Sequence, residues 1–183
     1  MQFTRMIGLA AAAVLGLAAT AASAEGYYVG GHYFDWKVKS SDAPTLDASG
    51  GRLLGGYMLN DYVGFEIHAA QGGTDEVAEG MVKGELDRLW GAFARFNMPV
   101  YRGWGNLFAL VGYAQGEVEV SSAVDSETVD ESGPALGAGV EVAILPGRLY
   151  LSADHVQYIK ETENSGLENV EGTATSIGLR YSF

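Results

Sequence analysis

The chain has 183 residues, among them 26 Gly, 10 Tyr, 7 Phe and 3 Trp, and no Cys. Its 23 acidic residues outnumber 11 basic ones, giving a formal net charge of −12. Such a charge excludes nucleic acid as an expected partner because phosphates would be repelled, and without Cys the fold has no disulfides. Glycine and aromatic residues favour strands over helices, so the composition predicts an all-β protein.

The first 24 residues have the pattern of a cleavable signal peptide. Arg5 precedes an apolar stretch over residues 7–22, and Ala22-Ser23-Ala24 is a small-residue cleavage site. A transmembrane anchor is the alternative, but the stretch is short for a span of roughly 20 residues. We therefore expect one domain over residues 25–183. It retains 10 basic and 23 acidic residues, a net charge of −13.

Eight segments of the remaining chain alternate in the way that strands require. In residues 90–98, Trp90, Phe96 and Met98 fall on one face, with Arg95 and Asn97 on the other. A strand crossing lipid alternates apolar-out with small-or-polar-in. The eight predicted strands cover residues 26–38, 51–59, 62–70, 90–98, 107–113, 136–144, 148–160 and 174–183.

The connections between these segments alternate in length. Short turns at residues 60–61, 99–106 and 146–147 alternate with longer polar loops at 39–50, 71–84, 121–133 and 161–173, which is typical of outer-membrane barrels. In hydrocarbon every backbone group must be paired, so such a chain must close. We therefore predict an eight-stranded antiparallel up-and-down transmembrane β-barrel with both termini periplasmic. A soluble sandwich or lipocalin-like barrel would have to bury several charges.

The predicted registers direct eight titratable side chains into the barrel. Three arginines meet three carboxylates there, which favours a structural network of salt bridges. A gate or an acid/base site is the alternative. We hypothesise that Arg95 and Glu141 belong to the network. The inward set is His32, Arg52, Glu66, His68, Arg95, Glu141, Asp154 and Arg180.

The last ten residues, ATSIGLRYSF, alternate and stop on an aromatic residue. This ending resembles the assembly signal of outer-membrane barrels. Further short matches to the OmpA-like and OmpX-like barrel families are Tyr27-Tyr28-Val29-Gly30-Gly31, Gly56-Tyr57 with Leu59-Asn60-Asp61, Val111-Gly112-Tyr113-Ala114 and Gly137-Ala138-Gly139-Val140-Glu141.

The resemblance implies a location and a set of partners. The location is the bacterial outer membrane, among its lipids and lipopolysaccharide. Periplasmic chaperones would deliver the chain, and the barrel-assembly machinery would recognise its C-terminal strand. The residues that would carry this assembly signal are Ile177, Leu179, Tyr181 and Phe183.

No catalytic, cofactor or metal site is expected. Lipid A deacylation in outer-membrane barrels uses a His-x-Ser arrangement, because a serine nucleophile needs an adjacent base. Here the corresponding segment reads His155-Val156-Gln157. Three scattered histidines without cysteine lack metal-ligand spacing.

We expect a non-enzymatic barrel with a structural, membrane-integrity or surface-interaction role. The alternatives are an adhesion or host-factor-binding barrel acting through acidic loops, a lipid A-modifying enzyme and a small channel.

Overall fold

A computed structural model of the protein describes residues 26–39, 46–72, 74–77, 82–101, 104–122, 126–160 and 171–183. The proposed signal peptide lies outside the described residues. Within them, nine strands follow one another along the chain, all paired antiparallel. They are β1 Tyr27–Lys39, β2 Leu46–Met58, β3 Val63–Gly72, β4 Thr74–Val77, β5 Val82–Val100, β6 Gly105–Ser122, β7 Ser126–Leu145, β8 Leu149–Lys160 and β9 Glu171–Ser182.

Eight of these strands close into a barrel. Each pairs with its neighbour in sequence, β9 pairs with β1, and β3 pairs with β5. The four-residue β4 pairs only with the beginning of β5, from Thr74↔Glu85 to Val77↔Val82, and so extends the wall beyond the ring. The predicted eight-stranded antiparallel barrel is confirmed. In the described part of the chain no helix has the length and apolar character to cross a membrane.

Side-chain exposure alternates along the strands, because successive residues point to opposite faces of the wall. In β5, Trp90 is 57% exposed while Arg95 is 1% exposed. The outward face forms an apolar band that includes Phe65, Ile67, Trp90, Val111, Leu136, Val140, Val142, Leu151, Ile177 and Leu179. The inward face is buried and combines charged, aromatic and glycine residues. The barrel is therefore apolar outside and polar inside.

Three tight connections mark one end of the barrel, here called the turn end. In the first, Asn60 Oδ1 accepts hydrogen bonds from the backbone N–H groups of Tyr62 and Val63, both at 2.9 Å. Asn favours turns because its side chain can replace a backbone acceptor in this way. The third turn uses Gly147 at a φ of 79°, a conformation that costs glycine little. Both described termini, Gly26 and Phe183, lie at this same end, since β1 and β9 begin and end there.

At the opposite end, here called the loop end, three strands are longer than predicted. β5, β6 and β7 have 19, 18 and 20 residues, whereas β1, β2, β3, β8 and β9 have 10 to 13. The pairing of β6 with β7 continues to Ser121↔Ser126, so most of the predicted loop 121–133 is strand. The prediction was wrong here because backbone pairing continues through polar residues outside the apolar band, where hydrophobic alternation no longer marks it. Other residues predicted as loop are also strand for the same reason: Lys39 and residues 46–50, 71–72, 74–77, 82–84 and 171–173.

Alanine substitutions at glycines can test which face of the barrel wall is packed against other atoms. A Cβ added at inward-facing Gly139 would lie 2.3 Å from Phe108 Cζ and 2.6 Å from the Ala153 carbonyl oxygen. A Cβ at outward-facing Gly55 would meet nothing within 4 Å. We expect Gly139→Ala to lower the unfolding temperature, seen as the shift in heat-modifiable gel migration. Gly55→Ala should leave it unchanged or raise it, because alanine restricts the unfolded chain. Equal effects of the two substitutions would contradict this assignment of faces.

Candidate functional site: the charged lumen

An ion cluster fills the lumen toward the turn end, and we call it the turn-end cluster: Glu66, Arg95, Glu141 and Arg180. Arg180 holds Glu141 with two hydrogen bonds, Nε to Oε1 at 2.7 Å and Nη2 to Oε2 at 2.9 Å. Arg95 donates from Nη1 to Glu66 Oε2 at 2.7 Å, and its Nη2 lies 2.8 Å from Glu141 Oε1. Arg95 therefore joins two carboxylates brought in by different strands.

Arg95 Nη2 makes an ion pair without a directed hydrogen bond. It is close to Glu141, but its N–H groups have no acceptor in good geometry. The guanidinium lies instead over the Phe108 ring, 3.9 Å from its centroid, where a cation is attracted by the ring face. Arg180 has a similar environment, 4.4 Å from the Tyr150 ring centroid and 4.9 Å from that of Tyr28. The two guanidinium groups of the turn-end cluster thus pack against aromatic rings as well as against carboxylates.

A second group, the loop-end cluster, consists of His32, Arg52, Asp154 and Ser176. Arg52 Nη2 bonds to Asp154 Oδ2 and donates to Ser176 Oγ at 2.8 Å. Ser176 Oγ in turn donates to Asp154 Oδ1 at 2.7 Å. His32 Nδ1 lies 2.7 Å from Arg52 Nη2, and because a guanidinium only donates, this ring nitrogen accepts.

Tyr158 and His68 connect the two clusters. Arg52 Nη1 donates to the Tyr158 hydroxyl at 2.8 Å, and that hydroxyl lies 2.8 Å from His68 Nδ1. His68 Nε2 donates to Glu66 Oε1 at 2.6 Å. Among the described side chains, this path of hydrogen bonds is the link between the loop-end and turn-end clusters.

All eight side chains that the sequence directed inward lie in the lumen, and each is at most 6% exposed. The strand periodicity puts them there, since each occupies an inward position of its strand. Sequence reasoning missed three partners that share those faces: Tyr28 donates to Glu66 Oε2 at 2.7 Å, Ser176 is bonded to Asp154 and Tyr158 joins the clusters. The alternation that identifies the charged residues could also have identified these three, because a polar side chain at an inward position needs a hydrogen-bond partner in the lumen.

The charges in the described lumen balance. Arg52, Arg95 and Arg180 face Glu66, Glu141 and Asp154, with His32 and His68 between them. Desolvating a charge is costly unless it is paired and hydrogen-bonded, and here each carboxylate has at least one arginine. Aromatic and aliphatic side chains fill the remaining space, among them Phe34, Trp36, Leu89, Phe93, Leu110 and Val156. An eight-stranded barrel has room for side chains only, so the lumen is a packed core.

The loop-end cluster contains Ser, His and Asp but not in a catalytic order. In a catalytic triad one ring nitrogen takes the proton of the serine hydroxyl and the other is held by the carboxylate. Here Nδ1 of His32 lies 3.3 Å from both Ser176 Oγ and Asp154 Oδ2, while Ser176 donates its proton to Asp154. His32 is thus close to both Ser176 and Asp154, but through the same ring nitrogen. Ser176 and Asp154 are buried and are already hydrogen-bonded to Arg52, so they cannot act on a substrate.

Outside the lumen, His155 is the side chain to consider for catalysis. His155 faces outward, and its Nδ1 is 2.9 Å from Thr175 Oγ1 on the neighbouring strand. No serine stands two residues after it. Among the described residues, no three His, Asp or Glu side chains are grouped so as to hold a metal ion.

Three residues of the expected assembly signal share the outward face of β9, and Phe183 follows directly after that strand. Ile177 and Leu179 are 54% and 47% exposed, and the rings of Tyr181 and Phe183 are in edge contact with centroids 5.2 Å apart. The backbone N–H of Phe183 donates to the Tyr27 carbonyl at 3.0 Å. The chain end is thereby held against the first strand at the seam of the barrel.

Comparisons with known proteins agree with this architecture. A family model described as the outer membrane protein beta-barrel domain matches residues 7–183. The sequence matches no curated protein at a significant level.

Several solved structures share the fold. Ail, the attachment invasion locus protein of Yersinia pestis, is 22% identical with a TM-score of 0.64, over 87% of this chain and 99% of that one. Neisserial surface protein A is 20% identical with a TM-score of 0.68, over 87% and 98%. OprG from Pseudomonas aeruginosa is 12% identical with a TM-score of 0.58, over 87% and 96%. At these identities the likeness shows the fold.

Removing one partner from the turn-end cluster should destabilise the barrel. Arg95→Gln leaves Glu66 without its guanidinium, and an uncompensated buried charge costs about 3–5 kcal/mol. We expect a clearly lower unfolding temperature in detergent, and a smaller additional loss when Glu66→Gln is added, since the two residues share one interaction. Arg148→Gln, at an exposed arginine in a turn, is the control. Unchanged unfolding of both Arg95→Gln and Glu141→Gln would contradict a stabilising network.

Proposed function

The chain belongs to the outer membrane protein beta-barrel domain family, and from that membership we propose a non-enzymatic integral protein of the bacterial outer membrane. It would have a structural, membrane-integrity or surface-interaction role, with its turn end and both termini in the periplasm. The observation that carries the proposal is the packed, charge-balanced lumen inside an apolar outer wall. A barrel of this kind acts through its outer surface and its loop end, since its interior is filled.

Two expectations follow for chemistry and transport. Arg95 lies between two carboxylates and over Phe108 in the lumen, so a hydrated ion would have to displace paired charges to pass. We expect the purified protein to give no conductance steps in planar bilayers. Its overexpression should leave lipid A unchanged. Regular conductance steps, or newly deacylated or palmitoylated lipid A, would overturn the non-enzymatic, non-channel proposal.

A deletion designed from the register of β6 and β7 can distinguish a membrane-integrity role from a surface-interaction role. Removing residues 118–129 and joining Glu117 to Asp130, which are cross-strand partners, through an Asn-Gly turn shortens the projecting hairpin without shifting the ladder. In a strain lacking the gene, restored exclusion of a bulky hydrophobic antibiotic by the shortened barrel indicates a membrane-integrity role. Restoration by the full-length barrel alone indicates a surface interaction.

Surface interaction is favoured by one specific observation, the extension of β5, β6 and β7 beyond the other strands. Their loop-end parts carry Glu117, Glu119, Glu127, Asp130 and Glu131, so a partner of basic character suits them. Ail has been crystallised with the heparin analogue sucrose octasulfate, but strands with so acidic a sequence would repel a sulfated polyanion. Binding of the full-length barrel to a basic protein that the shortened barrel does not bind would support this role.

The proposed partners in assembly are the periplasmic chaperones and the barrel-assembly machinery. Supporting this, Phe183 closes an outward aromatic pair and its side chain faces away from the lumen network. We expect Phe183→Ala to reduce the amount of barrel in the outer membrane of cells several-fold, while the purified variant refolds in detergent like the wild type. Phe96→Ala, at another outward aromatic residue that is 46% exposed, is the matched control. Equal cellular losses for both variants would contradict a signal at the C-terminus.

A further inference from the structure

His68 occupies a special place in the lumen because it belongs to both polar clusters. Its Nε2 donates to Glu66 of the turn-end cluster, and its Nδ1 accepts from Tyr158, which Arg52 of the loop-end cluster also bonds. The ring itself is 0% exposed and lies 4.6 Å from the centroid of the Phe93 ring. Neutral histidine fits this place, one nitrogen donating and the other accepting.

A second proton on His68 would disturb this arrangement in two ways. Nδ1 would become a donor, so the Tyr158 hydroxyl would receive two donors and its own proton would lose its acceptor. The lumen, whose three arginines already match three carboxylates, would also gain an uncompensated positive charge. The titratable groups that contact His68 are Glu66 on its own strand and Tyr158 on β8. One hydrogen bond further away are Arg95 on β5 and Tyr28 on β1, which bond Glu66, and Arg52 on β2, which bonds Tyr158. Beyond Arg52 lie Asp154 on β8 and His32 on β1.

We propose that His68 is an acid-sensitive link in the lumen: a proton on this ring breaks the hydrogen-bonded path between the two clusters and loosens the barrel. An unfolded histidine takes up its proton near pH 6.5, within the range where no other common side chain ordinarily titrates. The unfolded state then binds a proton that the intact link excludes, so stability decreases as the pH falls through this range. The carboxylates ordinarily titrate near pH 4, below it.

The chain has only three histidines, His32, His68 and His155, which makes the test selective. His68→Gln is the informative variant, because the glutamine amide can donate to Glu66 and its carbonyl can accept from Tyr158 without titrating. His155→Gln is the control, since His155 faces outward against Thr175. His32→Gln tests the other lumen histidine, which lies beside Asp154 in the loop-end cluster and is not part of the path between the clusters.

The experiment measures the unfolding temperature of the barrel in detergent micelles between pH 8 and pH 5 for the wild type and the three variants. We expect the wild-type temperature to fall by several degrees, His68→Gln to remove most of that fall, and His32→Gln and His155→Gln to keep it. A fall that persists in His68→Gln, or that disappears in His32→Gln, overturns the proposal.

Nuclear magnetic resonance of wild-type protein with ¹⁵N-labelled histidine covers the case in which His68→Gln fails to fold. The ring shifts of His68 should show the neutral Nε2–H tautomer at pH 8, with protonation accompanying the loss of stability. A His68 ring that stays neutral while the barrel loosens at pH 5 likewise overturns the proposal.

Discussion

Backbone pairing in a medium without water is the constraint on which the rest of this structure depends. A β chain in hydrocarbon has to satisfy every N–H and C=O within itself, and here β9 meets β1 while β3 meets β5. Closure of eight strands leaves a lumen only as wide as the side chains that fill it. The identity of the inward residues therefore decides what the interior can do, and the outward residues have only to match the lipid.

Paired charges fill much of the interior, and this arrangement is stable only when each buried charge keeps its partner. A buried ion pair is worth little by itself against a well-packed apolar pair, yet losing one partner is expensive. The Arg95 guanidinium illustrates this, since it lies between Glu66 and Glu141 and over Phe108. Such a network favours one register, because a one-residue slip of a strand that carries a lumen charge would turn that side chain toward lipid. The same network closes the path through the barrel and so moves the function to its surface.

The two clusters also differ in how they respond to their surroundings. The turn-end cluster contains arginines and carboxylates, whose ordinary titration lies far from neutral pH. The link to the loop-end cluster passes through His68, a side chain that ordinarily changes its charge near neutral pH. A single ring thus couples the acidity of the medium to the packing of the lumen. The β5–β6–β7 sheet is a second, independent feature, because it extends beyond the other strands at the loop end and its sequence there is rich in acidic residues.

The sequence by itself determined the barrel, the number of its strands and the inward set of charges, because an alternation of period two assigns every residue of a membrane strand to one face. Tyr28, Tyr158 and Ser176 occupy inward positions of the same alternation, but only the contacts reveal them as members of the network. Tertiary structure decided the pairings, since His32, Arg52, Asp154 and Ser176 come from four strands whose relative heights depend on register across the closed ring. It also decided the true length of β5, β6 and β7. Residues 116–120, Gly-Glu-Val-Glu-Val, do alternate, but outside hydrocarbon only the partner strand determines where pairing stops.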